Sequence, residues 1–161
     1  MSADDVVRVL YALDEAQLRP CVDGGWGVDA LLGRQTRPHG DLDVVVGREN
    51  LDRASEALAA HGYAHDPSVE PGLPARFVLR ATDGRQVDLH PVVRDAAGDA
   101  WQELGDGTWG RYPAAGLEGE GTIAGRPVTC ITAALQRLHH RGYEPSDVDL
   151  HDLRLLDELE R

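Results

Sequence analysis

Three aspartates, Asp41, Asp43 and Asp88, are the residues whose type and spacing could support chemistry in this chain. Asp41 and Asp43 lie at the start of a short β-branched run, which predicts a strand. Because side chains alternate along a strand, the two carboxylates share one face and lie about 7 Å apart. Two close carboxylates repel unless a cation lies between them, and Mg²⁺ favours such oxygen ligands. A strand end with two solvated acids is the simpler interpretation, which we favour for this pair taken alone.

Asp88 adds a third carboxylate in an otherwise apolar stretch that also predicts a strand. A buried acid needs a partner, which could be the backbone, an arginine or a metal ion shared with Asp41 and Asp43. His90 alternates onto the same face as Asp88, where a hydrogen-bonding histidine is more common than a metal ligand. The three carboxylates together indicate a candidate cation site on one face of a sheet.

Gly24 and Gly25 lie between a short predicted strand and a predicted helix, upstream of the aspartate pair. Such a turn offers backbone N–H groups and the positive end of the helix to phosphates, although a glycine pair is more often only a turn. Arg34, Arg37 and His39 follow the helix. Guanidinium groups beside a metal site suit a polyphosphate, and pairing with surface acids explains each arginine equally well. The chain has no Lys, so a triphosphate would be held by Arg, His and backbone N–H groups.

The periodicity and turn signals of the sequence predict the elements that would position these residues. Helices are predicted over 3–17, 26–32, 49–61 and 132–140, and from Ser146 or Asp147 to about Glu160. Strands are predicted over 21–22, 42–46, 76–80, 86–90, 123–124 and 128–131, with irregular hairpins or loops over 98–121. Helices interleaved with strands predict a mixed α/β or α+β sheet.

The length of 161 residues predicts a single domain, and 28 acidic against 16 basic residues give a formal net charge of −12. This acidity argues against nucleic acid as a partner, because phosphate contacts need a basic surface, and against a polybasic membrane anchor. No apolar run approaches the ~18 residues that span a membrane, and no signal peptide is recognised. The two cysteines form no disulfide framework, so we expect a cytoplasmic protein with small or cationic partners.

A longer pattern resembles the small antibiotic nucleotidyltransferases, most closely the lincosamide nucleotidyltransferases, with the aminoglycoside adenylyltransferases next. The similarity lies in 24–34 (GGWGVDALLGR), 36–37, His39, 41–43 and 87–91, and further in 121–123, 125–128, 130–131, His140, 142–144, Asp149 and Asp152. It covers nearly the whole chain. Two departures are Gly25, where many relatives have Ser, and Gly40, where many have a larger polar residue. Neither departure removes a carboxylate.

The resemblance implies a polymerase-beta-like nucleotidyltransferase fold, a mixed sheet flanked by helices, in a single domain over 1–161. Residues 1–130 would form the catalytic core and 131–161 a short helical segment on the acceptor side. The aspartate pair would bind two Mg²⁺ ions, and Asp88 would complete the set. The nucleotide site would comprise Gly24, Gly25, Trp26, Arg34, Arg37 and His39.

The reaction that this resemblance implies moves a nucleoside monophosphate, AMP from ATP, to a hydroxyl of a small molecule and releases pyrophosphate. The expected acceptor is a lincosamide or aminoglycoside antibiotic. Asp88 is the first candidate to accept the hydroxyl proton and His90 is the second. The alternatives are an enzyme acting on a biosynthetic intermediate or a protein hydroxyl, a non-catalytic nucleotide-binding relative, and a purely structural domain. The family also makes a homodimer plausible.

The acceptor side is expected near the last helix, where Asp152 falls inside an apolar stripe and Asp149 lies beside its edge. The stripe comprises Val148, Leu155, Leu156 and Leu159. Either acid could contact a cationic or hydroxylated acceptor, and a hydrogen bond to the turn at 142–143 is an equally good interpretation. The candidate acceptor site is completed by His90, Trp101 and Tyr143, with Trp109 and Tyr112 as further apolar walls, although aromatic side chains are more often core residues.

Overall fold

The computed structural model describes residues 1–159, which form a mixed sheet with helices packed on it. The helices are α1 (Ala3–Glu15), α2 (Gly24–Leu32), α3 (Leu51–Ala59), α4 (Ala133–His139) and α5 (Asp147–Glu158), with 3-10 turns at Arg48–Asn50 and Ala114–Leu117. The strands are β1 (Cys21–Val22), β2 (Asp41–Gly47), β3 (Tyr63–His65), β4 (Phe77–Ala81), β5 (Gln86–Arg94), β6 (Ala100–Glu103), β7 (Trp109–Tyr112), β8 (Gly119–Ile123) and β9 (Arg126–Cys130). Their order is β3-β4-β5-β2-β1-β9-β8, and β6 pairs with both β5 and β7. The mixed α/β architecture predicted from the sequence is confirmed.

Most helix boundaries follow from capping residues that the sequence already shows. The side chains of Ser2 and Ser146 accept hydrogen bonds from backbone N–H groups in the first turns of α1 and α5, each within a capping box. Thr132 caps α4 in the same manner. Gly33 ends α2 in a left-handed conformation with φ of 67°. These predicted starts and stops are confirmed.

Several helix ends differ from the prediction, including both ends of α3, which spans Leu51–Ala59 and not 49–61. Helix α2 begins two residues early, at Gly24, because the Asp23 carboxylate accepts a 2.7 Å hydrogen bond from the Gly24 N–H and caps the helix. The glycine pair is therefore the first turn of the helix and not a break before it. Helix α1 stops before Gln17, whose φ is 59°. Helix α5 ends at Glu158, and Glu160, its predicted end, lies outside the described residues.

The segment 98–121, predicted as irregular hairpins or loops, contains the regular β6–β7 hairpin and the start of β8. The hairpin pairs Gln102 with Gly110 and turns through Asp106 and Gly107, the latter at φ 80°. Asp-Gly is a strong hairpin signal. Strand β6 also pairs with β5, where Gln102 lies opposite Val92, and so reaches the strand that carries Asp88.

Two apolar cores cover the two faces of the sheet. The larger one packs Leu13 of α1 and Leu58 of α3 against Leu42, Val44 and Leu89 of the central strands. The smaller one lies on the opposite face and contains Val45, Val92, Ala100, Tyr112, Ile131 and Leu135. Because residues alternate along β2, burial of Leu42 and Val44 on one face turns Asp41 and Asp43 to the other.

The register between β2 and β5 decides which polar residues meet. The two strands are parallel neighbours, with Asp43 opposite Asp88 and Val45 opposite His90. Paired residues point to the same side of a sheet. The predicted carboxylates and His90 therefore share one face, beside the smaller core.

The apolar stripe predicted for α5 is only partly buried. Leu156 and Asp152 are buried, whereas Val148 and Leu159 are 47% and 43% exposed. The helix packs mainly on α2 and α4, and its buried face is narrower than the sequence pattern predicts.

Across residues 1–159, no helix combines the length and the apolar character that a membrane crossing requires.

Candidate active site

Asp43, Asp88 and His90 form a compact cluster of metal-ligating side chains. One donor atom from each lies within 4.8 Å of the others. His90 donates from Nε2 to the Asp43 carboxylate at 3.1 Å. In the Asp88 carboxylate, Oδ2 pairs with the guanidinium of Arg76 at 3.0 Å, whereas Oδ1 is buried and has no hydrogen-bond partner among residues 1–159. A buried carboxylate oxygen of this kind is a suitable ligand for a hard cation.

Burial raises the pKa of two of the predicted carboxylates. Asp88 is 2% exposed. Its burial raises the pKa of the carboxyl group, and this effect outweighs the nearby positive charges of His90 and Arg76, which lower the pKa. Burial and the nearby Asp43 charge raise the pKa of Asp41, which lies on the same face at the start of β2. Negative charge on this face is therefore unfavourable without a cation, as the sequence argument expected.

His90 is held from both sides of its ring. Gln102 of β6 donates from Nε2 to His90 Nδ1 at 3.1 Å and to the carbonyl of Ala75 at 2.7 Å. The Tyr112 hydroxyl lies 3.1 Å from Gln102 Oε1 and 3.2 Å from a carboxylate oxygen of Asp23. The chain of contacts thus runs from the cluster to the residue that caps α2. The hairpin supplies Gln102 and Tyr112, and our sequence analysis missed the first and gave the second a different role.

The protonation of His90 depends on these neighbours. Burial opposes a charge on His90, but the hydrogen bond to Asp43 and the nearby carboxylates of Asp43, Asp23 and Asp88 outweigh burial and raise the pKa of His90 to about 9. The bond from Gln102 requires an unprotonated Nδ1. Protonating His90 therefore also requires the Gln102 amide to turn.

The first turn of α2 lies directly against the carboxylate cluster. Gly24 has a φ of 58°, and a Cβ at this position would overlap the Asp43 carboxylate. The Asp23 N–H donates to the Asp43 carbonyl at 3.0 Å, which ties β1 to β2 at the same point. The tertiary fold thus brings together the glycine turn and the aspartates. The Asp23 carboxylate already accepts from the Gly24 N–H. The next N–H groups of a first helical turn have no intrahelical acceptor, so those of Gly25 and Trp26 are available to an anion.

His39 and Trp26 support this turn from inside the protein. Both residues are buried, and their rings lie 4.5 Å apart. His39 Nε2 lies 2.5 Å from the Asp29 carboxylate, which also accepts hydrogen bonds from the backbone and hydroxyl of Thr36. These contacts fasten the loop between α2 and β2 to the helix. His39 Nδ1 faces Gly25, where a Cβ would come within 2.6 Å of it.

Arg34 and Arg37, the two arginines between α2 and β2, differ in burial and in their contacts. Arg37 donates from Nε and Nη2 to both carboxylate oxygens of Asp152, at 3.0 and 2.7 Å. The Arg37 guanidinium also lies over Gly25, because a Cβ at Gly25 would overlap Nη2. Arg34 is exposed. The structure brings Arg37 to the glycine turn.

The residues predicted for the acceptor side do not converge on one site. Asp152 bonds to Arg37, whereas Asp149 belongs to the cap of α5 and accepts hydrogen bonds from the backbone and hydroxyl of Ser146. Tyr143 is half exposed. Trp101 donates to Asp95 and, next to Gln102 in a strand, points to the face away from His90. Of the residues predicted for the acceptor side, only His90 belongs to the Asp43–Asp88–His90 cluster within residues 1–159.

A cavity of about 640 Å³ lies away from the cluster, between the end of α1 and β9. Its lining includes Asp14, Arg19 and Arg126. None of the residues predicted for the site lines this cavity, so it does not bear on their chemistry.

Comparison with known proteins identifies the family. The family model for aminoglycoside-2''-adenylyltransferase matches residues 5–156. A lincosamide resistance protein of Staphylococcus haemolyticus is 29% identical over 156 residues, covering 96% of this chain and 94% of the relative. A 2''-aminoglycoside nucleotidyltransferase of Klebsiella pneumoniae is 32% identical over 123 residues, covering 76% of this chain and 63% of the relative.

A solved structure gives the same assignment. The lincomycin-bound crystal structure of the lincosamide antibiotic adenylyltransferase LnuA has a TM-score of 0.83 and 26% identity to this chain, with 97% of this chain and 96% of that one covered. The resemblance stated from sequence motifs is confirmed at the level of family and fold. The chain belongs to the aminoglycoside-2''-adenylyltransferase family and is a nucleotidyltransferase.

Proposed function

We propose that this chain transfers AMP from ATP to a hydroxyl of an antibiotic, with a lincosamide as the first candidate and an aminoglycoside as the second. The observation that carries the proposal is the Asp43–Asp88–His90 cluster set against the first turn of α2. The order of acceptors rests on length, because the lincosamide resistance protein is matched over 94% of its chain and the aminoglycoside enzyme over 63%. In this proposal residues 1–130 carry the nucleotide chemistry and 131–161 face the acceptor.

The donor set fits Mg²⁺. Carboxylate oxygens are its preferred protein ligands, and Asp88 Oδ1 is a buried oxygen without another partner among the described residues. Asp43 and Asp88 would hold the ions, with Asp41 on the same face of β2 as a further ligand. Bound Mg²⁺ would supply charge stabilisation to the phosphates and lower the pKa of the acceptor hydroxyl. His90 would orient Asp43 through its Nε2–H.

In the proposed reaction the acceptor hydroxyl oxygen bonds to the α-phosphorus of ATP as the bond from that phosphorus to pyrophosphate breaks. The hydroxyl proton passes to Asp88, because this carboxylate would lie beside the bound ions and burial raises its pKa. His90 is less suited to this role, since both ring nitrogens already have partners. Backbone N–H groups of Gly25 and Trp26 and the guanidinium of Arg37 would receive the phosphates.

A transfer assay tests the proposed function. The purified chain is incubated with ATP, Mg²⁺ and one antibiotic at a time from a panel of lincosamides and aminoglycosides. We expect a mass gain of one adenylyl group on a lincosamide, and equimolar pyrophosphate. Omission of Mg²⁺ is the control and should give no product. Transfer to neither class would overturn the acceptor assignment, and the absence of pyrophosphate release with every acceptor would contradict the reaction.

The effect of Mg²⁺ on stability should depend on pH. Because the pKa values of Asp41 and Asp88 are raised in the folded chain, their charged forms cost stability above those values. As the pH falls through these raised pKa values, the folded chain binds more protons than the unfolded chain. The folded chain therefore gains stability, and the cost of the two charges disappears. Mg²⁺ would offset the same cost, so we expect a larger thermal shift at a pH above both raised pKa values than at a pH below them.

Melting curves with Mg²⁺ and with a potassium salt of equal ionic strength would measure this shift. Equal shifts for the two salts at both pH values would count against a carboxylate metal site.

A further inference from the structure

The contact between Arg37 and Asp152 joins two parts of the chain that are 115 residues apart. Arg37 lies in the loop between α2 and β2, and Asp152 lies in α5. The two bonds are parallel, from Nε to Oδ1 and from Nη2 to Oδ2. This forked geometry fixes the plane of the guanidinium as well as its position.

The fixed guanidinium lies over the first turn of α2. A Cβ at Gly25 would overlap Arg37 Nη2, so the arginine fills the space that a side chain at position 25 would take. The backbone N–H groups of this turn are the ones to which we assign the phosphates. Asp152 uses Nε and one side of Nη2, and Nη1 donates weakly to the Pro38 carbonyl at 3.4 Å. The outer edge of the guanidinium, with the remaining N–H groups of Nη1 and Nη2, is left to face a phosphate.

Asp152 itself is poorly placed to touch an acceptor. Its side chain is 5% exposed, whereas that of Arg37 is 23% exposed. The neighbouring Leu156 is fully buried, which holds this part of α5 in place. A buried carboxylate whose two oxygens both accept from one guanidinium acts through that guanidinium.

We propose that Asp152 is a positioning residue for the nucleotide: it holds the Arg37 guanidinium over the first turn of α2, ready for the triphosphate. This inference rests on the proposed function. It moves Asp152 from the acceptor side, where the sequence pattern had placed it, to the nucleotide side. It also gives α5 a role in nucleotide binding, although the helix follows the nucleotide turn by more than 110 residues.

The test separates nucleotide affinity from acceptor affinity. The dissociation constant of a non-hydrolysable ATP analogue with Mg²⁺ is measured by calorimetry, and KM is measured for the acceptor found in the transfer assay. Asp152→Asn keeps the shape of the side chain but removes the charge and one acceptor. We expect it to weaken binding of the analogue about tenfold or more, the scale of one lost charge-assisted hydrogen bond, with little change in acceptor KM.

A double-mutant cycle shows whether Asp152 acts through Arg37. In an Arg37→Gln background, adding Asp152→Asn should not weaken binding further, because the positioned group is already gone. Asp157→Asn is the matched control: it removes one charge from the same helix at a residue that pairs with Arg137 and does not touch Arg37. It should leave the dissociation constant unchanged. Asp152→Glu keeps the charge and displaces it by one methylene, so it serves if Asp152→Asn folds poorly, with the same direction of effect expected.

Three outcomes would overturn the inference. The first is wild-type affinity for the analogue in both Asp152 variants, and the second is a raised acceptor KM without a loss of nucleotide affinity. The third is an equal loss in the presence and absence of Arg37. If the wild-type chain itself fails to bind the analogue, the proposed function fails and this inference fails with it, whereas the other three results leave the proposed function standing.

Discussion

Replacement of Asp43 by Asn is expected to reduce nucleotidyl transfer by about a thousandfold or more, because metal-ion charge stabilisation is worth several kcal/mol. Asp43 is the central residue of the cluster, since it faces Asp88 across the parallel strands, accepts from His90 and lies against Gly24. The fold should survive, because the substitution conserves shape and removes one of several repelling charges. Transfer is measured with ATP, Mg²⁺ and the antibiotic acceptor, and the fold by circular dichroism.

The same variant should lose the thermal shift caused by Mg²⁺. Asp52→Asn, at an exposed position of α3, removes an equal charge far from the cluster and is the control. It should keep both the transfer rate and the Mg²⁺ shift. An Asp43→Asn variant that retains near-normal transfer would show that the cluster does not hold the catalytic metal.

Replacement of Gly24 by Ala is expected to lower transfer about a hundredfold, the scale of a displacement of about 1 Å in a reacting site. Two physical causes act at this position. The φ of 58° lies in the left-handed region, which costs a residue with a Cβ about 1 kcal/mol or more. The added methyl group would also overlap the Asp43 carboxylate, so either the strand or the helix must move.

Gly84→Ala separates these causes. Gly84 has a φ of 89° in the β4–β5 hairpin, and a Cβ there would meet nothing within 4 Å. Both variants should lose melting temperature, but Gly84→Ala should keep full transfer and the Mg²⁺ shift. A Gly24→Ala variant that is destabilised yet fully active would mean that the turn and Asp43 do not need their close contact for catalysis.

Much of the local structure could be predicted because it depends on neighbours in sequence. Ser2, Thr132 and Ser146 begin helices by bonding to N–H groups three residues away. Asp83-Gly84 forms a hairpin because the turn needs a residue with positive φ, which glycine adopts without strain. Irregular hairpins or loops were expected over 98–121, but the strands β6 and β7 were not placed there, so Gln102 was missed.

The sequence by itself determined that Asp41 and Asp43 share a face, that Asp88 needs a partner, and that a glycine turn precedes them. These conclusions follow from strand alternation and from the cost of burying a charge, which are local or general effects. The tertiary structure decided that Asp43 lies opposite Asp88, that Gln102 holds His90, and that Asp152 pairs with Arg37. Such contacts depend on the order and register of strands and on how α5 docks, and no short-range preference in the chain specifies them.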